Sequence, residues 1–239
     1  MTTFVLVHGA MHGGWVWNLV RDQLQSAGHQ VFTPTLTGQG ERLHSLTRSI
    51  GVATHVKDIA ALLWFENLRD VILVLHSYAG VLAGPIAEAS ADRLSCIVLA
   101  GGFHVQSGQC LLDVEPADTA YYYRELVAQR GQGWFVPPSP DLLVRWAITD
   151  RTLQAYVGAR LTPFPFKCQT DPVSYDVSRL RSVRRVYIEH TEPRLPALRQ
   201  SLVTALAEGF EHLRIATGHD MMLTDATTVA ALLAGLANH

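Results

Sequence analysis

The stretch from Asp70 to Val81, D-V-I-L-V-L-H-S-Y-A-G-V, allows few local structures. Val71 to Leu75 are apolar without polar alternation, which predicts a strand buried on both faces, as in a parallel sheet. The run stops at Ser77, and the small residues Ala79 and Gly80 open a segment, A-G-V-L-A-G-P-I-A-E-A, with helix-like apolar spacing. A serine between a buried strand and a helix sits in a sharp turn. Its hydroxyl is lifted clear of the sheet, beside backbone N–H groups that face a helix N-terminus, which is what a nucleophile requires. The usual turn of this kind has glycine two residues before and two after the serine, and here those places hold Leu75 and Ala79. The packing around the turn is therefore expected to be adjusted. Taken alone, the stretch equally fits a serine that only turns the chain or caps a helix.

The rest of the chain repeats the strand-then-helix order. Strands are expected at Phe4 to Val7, Gln30 to Phe32, Cys96 to Ala100, Arg185 to Ile188 and Leu213 to Ala216. Helices are expected at about Val16 to Ala27, Thr54 to Leu63 and Thr227 to Leu236. Alternation of this kind predicts an α/β fold with a doubly wound, mostly parallel sheet, whose ligands lie beyond the carboxyl ends of the strands. Between Phe103 and Ser182 the alternation breaks into a segment rich in proline and aromatics, including Tyr121-Tyr122-Tyr123, Trp134-Phe135 and Phe164-Pro165-Phe166. So long a loop inside one domain implies a lid or subdomain. The organisation expected is a core of residues 1–102 and 183–239, with 103–182 as an inserted, mostly helical cap whose aromatics pack it down and line an apolar pocket.

Composition narrows the function. With 239 residues, 48% of them hydrophobic, the chain is long enough for one well-filled α/β core. A net charge of −2 gives no electrostatic footprint for nucleic acid, and Arg181, Arg184 and Arg185 are a local cluster rather than a basic face. Cys96, Cys110 and Cys168 have no metal-ligand spacing, and their odd number suggests a reducing compartment. No apolar run approaches membrane-spanning length. The expectation is a cytoplasmic protein without cofactor, metal, nucleic acid or membrane, its partner a small molecule, with a homodimer left open.

Two further segments fall where serine chemistry would use them. His8-Gly9-Ala10 follows the first strand, so the N–H of Ala10, with that of Tyr78, would make an oxyanion hole; a mere glycine turn is the plain alternative. A-T-G-H-D-M-M-L-T places His219 after the last strand, where its imidazole could take the serine proton and return it to a leaving group.

V-L-V-H-G-A-M-H-G-G-W-V-W, T-G-Q-G-E-R, V-L-V-L-H-S-Y-A-G and T-G-H-D-M-M-L-T together resemble the α/β-hydrolase fold, in the branch of plant salicylate methylesterases, plant hydroxynitrile lyases and small bacterial esterases. The resemblance spans nearly the whole core and is weak in the cap. It implies Ser77 as nucleophile, His219 as base, and Ala10 and Tyr78 as oxyanion donors. His12 and His76 are expected to be structural or pocket-lining. The family's triad aspartate follows T-E near the end of the penultimate strand, where this chain has Pro193. Glu192, one methylene longer than aspartate and one residue earlier, is the expected substitute; a Ser-His pair without an acid is the other outcome. The implied activity is hydrolysis of a small ester or lactone of an apolar, aromatic compound through an acyl-enzyme on Ser77. A lyase on the same scaffold and a catalytically silent binding protein are the alternatives. Hydroxynitrile lyases of this branch carry a threonine in the first turn and a lysine after the base, where this chain has Gly9 and Asp220.

Overall fold

Six strands form one parallel sheet: β1 (Thr3–Val7), β2 (Gln30–Phe32), β3 (Val71–His76), β4 (Leu94–Ala100), then, after the intervening segment, β7 (Arg184–His190) and β8 (Glu211–Ile215). The computed structural model describes residues 1–146 and 148–237. The sheet order is β2-β1-β3-β4-β7-β8, every pair parallel. Alternate residues of each strand enter opposite layers, as the two-residue period of a strand requires. Phe4, Leu6, Ile72, Val74, Val98 and Ile188 meet α1 (Asn18–Ser26) and α11 (Ala226–Leu236) on one face. On the other face Val5, Val7, Leu73, Leu75, Ile97 and Leu99 meet α2 (Val52–Phe65) and α3 (Ala83–Ser90). The expected strands are all present, and burial on both faces is why their sequences lack alternation.

The chain reverses its winding direction between β1 and β3, and Val7 pairs with Leu75 at their carboxyl ends. That register sets the turn after β1 against the turn after β3, at the crevice where open α/β sheets bind ligands.

Between β4 and β7 lie α4 (Ala117–Arg130), α5 (Pro140–Arg145), α6 (Arg151–Gly158), α7 (Lys167–Thr170) and α8 (Val177–Arg181). A short antiparallel ribbon of β5 (Phe135–Val136) and β6 (Phe164–Pro165) ties this segment together. Its buried side chains, among them Leu126, Leu142 and Phe164, join the hydrophobic cluster of the α2–α3 face. The helix α9 (Arg199–Ala207) joins β7 to β8, and a single turn, α10 (Met221–Thr224), precedes α11. All three cysteines are buried free thiols. Among the described residues no helix is long and apolar enough to cross a membrane.

Candidate active site

Ser77 ends the buried strand β3 with φ +52°, in the left-handed region that non-glycine residues rarely occupy. The main chain therefore turns sharply into a 3₁₀ segment, Ser77–Leu82, that leads into α3. The turn tolerates Leu75 and Ala79, both fully buried, because the close approaches fall on other residues. A Cβ on Gly80 would lie 2.4 Å from the Phe103 carbonyl oxygen, and one on Gly9 would lie 2.8 Å from Ser77 Cβ. The need for glycine has moved to position 80 and across to the neighbouring turn at position 9. The Ser77 carbonyl accepts from the Phe103 N–H at 2.9 Å, which pins the elbow to the chain leaving β4.

The turn after β1 is stitched down by the Pro34–Glu41 loop. His8 Nδ1 donates to the Gly9 carbonyl (2.7 Å), its Nε2 accepts from the Leu36 N–H (3.0 Å), and Gln39 Oε1 accepts from the Met11 N–H (2.9 Å). Burial pushes His8 down to about 3, so it is neutral and keeps that tautomer. The Tyr78 hydroxyl lies 2.9 Å from His55 Nδ1.

His219, four residues beyond the end of β8, places Nε2 3.0 Å from Ser77 Oγ. Burial lowers its pKa well below the ordinary histidine value, and the facing imidazoles of His76 and His190 lower it further. It is therefore a neutral base at neutral pH, with Nε2 placed to accept the hydroxyl proton. Its Nδ1 has no hydrogen-bond partner among the described residues. Glu192 does not reach it: the side chain is exposed, while the Glu192 N–H donates to the Thr217 carbonyl at 3.0 Å. The expectation that Glu192 orients His219 is thus not met, because the segment leaving β7 directs residue 192 outward. The ring facing His219 from the end of β7 is His190, centroids 5.0 Å apart, and neither of its buried nitrogens has a hydrogen-bond partner among the described residues.

A second group lies on the opposite side. Asp220, the residue after the base, is buried, with its carboxylate 3.4 Å from His12 Nε2 and 3.9 Å from His76 Nε2. His76 Nε2 in turn donates to the His219 carbonyl at 3.0 Å. Burial opposes ionisation of Asp220, yet the surrounding imidazoles of His12, His76 and His219 outweigh it and hold its carboxyl below the usual carboxylate range. His12 and His76 thus pack around the buried carboxylate of Asp220, at a position the sequence marked only as the place where hydroxynitrile lyases carry a lysine.

Ala10, Ser77, Tyr78 and His219 share a cavity of about 310 Å³ whose outer wall comes from the segment after β4 and from Leu195, Pro196 and Ala197 after β7. Phe103, Leu111, Tyr123 and Trp146 make that wall largely apolar, as the aromatics led one to expect. Two oxygens without a hydrogen-bond partner among the described residues interrupt it: Gln169 Oε1, buried, and Glu115 Oε2. Burial pushes the Glu115 carboxyl up to about 8. Neither residue carried a signal in the sequence, since a polar residue between aromatics reads as an exposed position until the cavity is seen.

Comparison with known proteins agrees with this architecture. A family model described as the alpha/beta hydrolase family matches residues 4–232. The chain is 40% identical over 116 residues to a carbendazim hydrolyzing esterase of Nocardioides sp. (strain SG-4G), a match covering 48% of each protein. It is 28% identical over 205 residues to Methylesterase 7 of Arabidopsis thaliana, covering 77% of this chain and 76% of that one. Among solved structures, an extracellular alpha/beta-hydrolase from a Paenibacillus species superposes with a TM-score of 0.85 at 20% identity, covering 98% of both chains. Tomato Methylketone Synthase I complexed with 2-tridecanone gives 0.84, also at 20% identity, over 99% of this chain and 98% of that one. At that identity the two structures speak for the fold alone. The fold, a parallel sheet with its serine elbow at the switch point, and a family match running from β1 into α11 have one conclusion: this chain belongs to the alpha/beta hydrolase family.

Proposed function

We propose that this protein hydrolyses a small carboxylic ester or lactone of an apolar, aromatic compound through an acyl-enzyme on Ser77. The observation that carries the reading is the 3.0 Å contact between His219 Nε2 and Ser77 Oγ at a left-handed elbow on the cavity floor. Ser77 Oγ attacks the ester carbonyl carbon while His219 Nε2 takes the hydroxyl proton. The oxyanion that forms is held by the N–H groups of Ala10 and Tyr78. The imidazolium then gives its proton to the departing alkoxide, which leaves as the alcohol. Water, deprotonated by the same nitrogen, cleaves the acyl-enzyme and restores Ser77. The segment 103–182 acts as the cap, closing the acyl or alcohol group into the cavity. The names of the curated relatives, an esterase and a methylesterase, support ester cleavage. The buried carboxylate of Asp220 beside the base argues against cyanohydrin cleavage, since it would repel nascent cyanide.

Incubation with a fluorophosphonate followed by intact mass tests the nucleophile: one adduct is expected on the wild type and none on Ser77→Ala. p-Nitrophenyl acetate and mandelonitrile, assayed side by side, test the reaction. Ester cleavage is expected to dominate, and cyanide release outrunning it would overturn the reading.

A further inference from the structure

We propose that the buried carboxylate of Asp220, clamped by His12, takes over the electrostatic work of the missing triad acid, stabilising the imidazolium on His219 without bonding to its Nδ1. The proposal rests on the Ser77–His219 reading above and goes beyond it by naming what replaces the acid.

The geometry sets the charge states. His12 Nδ1 lies 2.7 Å from the Ala10 carbonyl oxygen, which can only accept, so Nδ1 carries a proton. Its Nε2 lies 3.4 Å from Asp220 Oδ2, an ion-pair distance without a hydrogen bond, where a lone pair would face a carboxylate and a proton completes the ion pair. Both side chains are buried, and Trp15 and Trp146 pack against the His12 ring. Burial alone would lower the pKa of His12, but the charge of Asp220 raises it above the ordinary value.

His219 is faced by four titratable groups: His76 from β3, His190 from β7, His12 from the turn after β1, and Asp220 on its own loop. His76 and His190 are both pushed down to about 4 by burial, so near pH 7 they are neutral and oppose a proton on His219 only in the acid range where they take one up themselves. Of the two charged groups, Asp220 attracts a proton on His219 more strongly than His12 repels it. A triad acid both orients the base and stabilises its cation. Here the second task falls to Asp220, while the first is met by packing, with the His219 carbonyl held by His76 at 3.0 Å. The same His12 ring fixes the Ala10 carbonyl, so one ion pair ties the oxyanion turn to the loop that carries the base.

The test is kcat and KM for a p-nitrophenyl ester between pH 3 and 9, with fluorophosphonate labelling of Ser77, on wild type, Asp220→Asn and His12→Gln. Asp220→Asn is expected to cut kcat by about 30-fold or more with KM within about threefold, the pattern of an interaction made only in the transition state. It should also move the acid limb of the profile down by about one pH unit, because the imidazolium has lost its anion. His12→Gln, whose amide can still donate to the Ala10 carbonyl, leaves Asp220 without its cation and should move the same limb up. A purely structural role would change melting temperature and leave the limb in place. Asp220→Asn with kcat within about threefold of wild type, or with an unmoved limb, overturns the proposal. If Asp220→Asn does not fold, an unmoved limb in His12→Gln overturns it instead. A wild type that resists the fluorophosphonate overturns the serine-hydrolase reading and this proposal together, whereas a labelled wild type with unmoved limbs overturns this proposal alone.

Discussion

Ser77 sits in backbone strain of about 1–3 kcal/mol, which the surrounding packing must sustain. Gly9 is the neighbour with no room to spare. A methyl group there would lie 2.8 Å from Ser77 Cβ and 3.0 Å from His76 Nδ1, and the elbow would have to yield. Gly9→Ala is therefore expected to lower kcat by about 100-fold, the scale of a 1 Å misplacement at the reacting atoms. The check is kcat alongside circular dichroism, with the spectrum unchanged. Ser77 and His219 were legible in the sequence as candidates because of where they stand, an unalternating strand that stops at a serine and a histidine after the last strand, and the structure brings them within 3.0 Å. The acid was not legible. Proline stands at the usual place, and the groups that answer it, His12 and Asp220, come from opposite ends of the chain and meet only when β1 and β8 enter one sheet. The adjacent pair His219-Asp220 was visible, but adjacency excludes a bond to the far nitrogen and says nothing of the field.

Among the elements, the strands were easiest to foresee, and their boundaries in the structure differ by a residue or two, as terminal turns commonly do. The helix after the glycine turn begins later than its apolar pattern suggests: Gly14–Trp17 form a 3₁₀ turn, and α1 starts at Asn18. Gly14 explains this, since a Cβ there would lie 2.0 Å from the Thr33 carbonyl oxygen, so the segment is held by its approach to that loop. The β5–β6 ribbon was not foreseen. Each strand is two residues long, and main-chain pairing across some thirty residues leaves no periodic trace. On the α1–α11 face, Leu233 is fully buried at the centre of its cluster. Leu233→Ala is expected to lower unfolding stability by about 2–5 kcal/mol, the usual cost of a core leucine truncated to alanine. Urea denaturation should show the midpoint falling at constant slope, and the turnover per folded molecule should hold.

At the scale of the whole molecule, the sheet supplies the chemistry and the segment after β4 supplies the cavity wall. One residue of that wall makes the cavity sensitive to pH. Burial pushes the Glu115 carboxyl from 4.5 to about 8, with Arg145 pulling it back and Asp118 adding to the rise. Below that value the wall is neutral and suits an apolar ester; above it an anion appears in the cavity beside Tyr123 and Trp146. KM for an uncharged aromatic ester is therefore expected to rise as pH passes through about 8, while KM for Glu115→Gln stays flat over the same range. Stability follows the same group. Because the folded-state pKa lies above the unfolded value, the native protein keeps a proton that the unfolded chain has already released. The contribution of Glu115 to stability is fully present below about 4.5 and is lost as pH rises through about 8. Comparing melting temperatures of wild type and Glu115→Gln at pH 5, 7 and 9 checks the sign. The difference between them should move in favour of the glutamine variant as pH increases, and a difference independent of pH would show that Glu115 is ionised throughout.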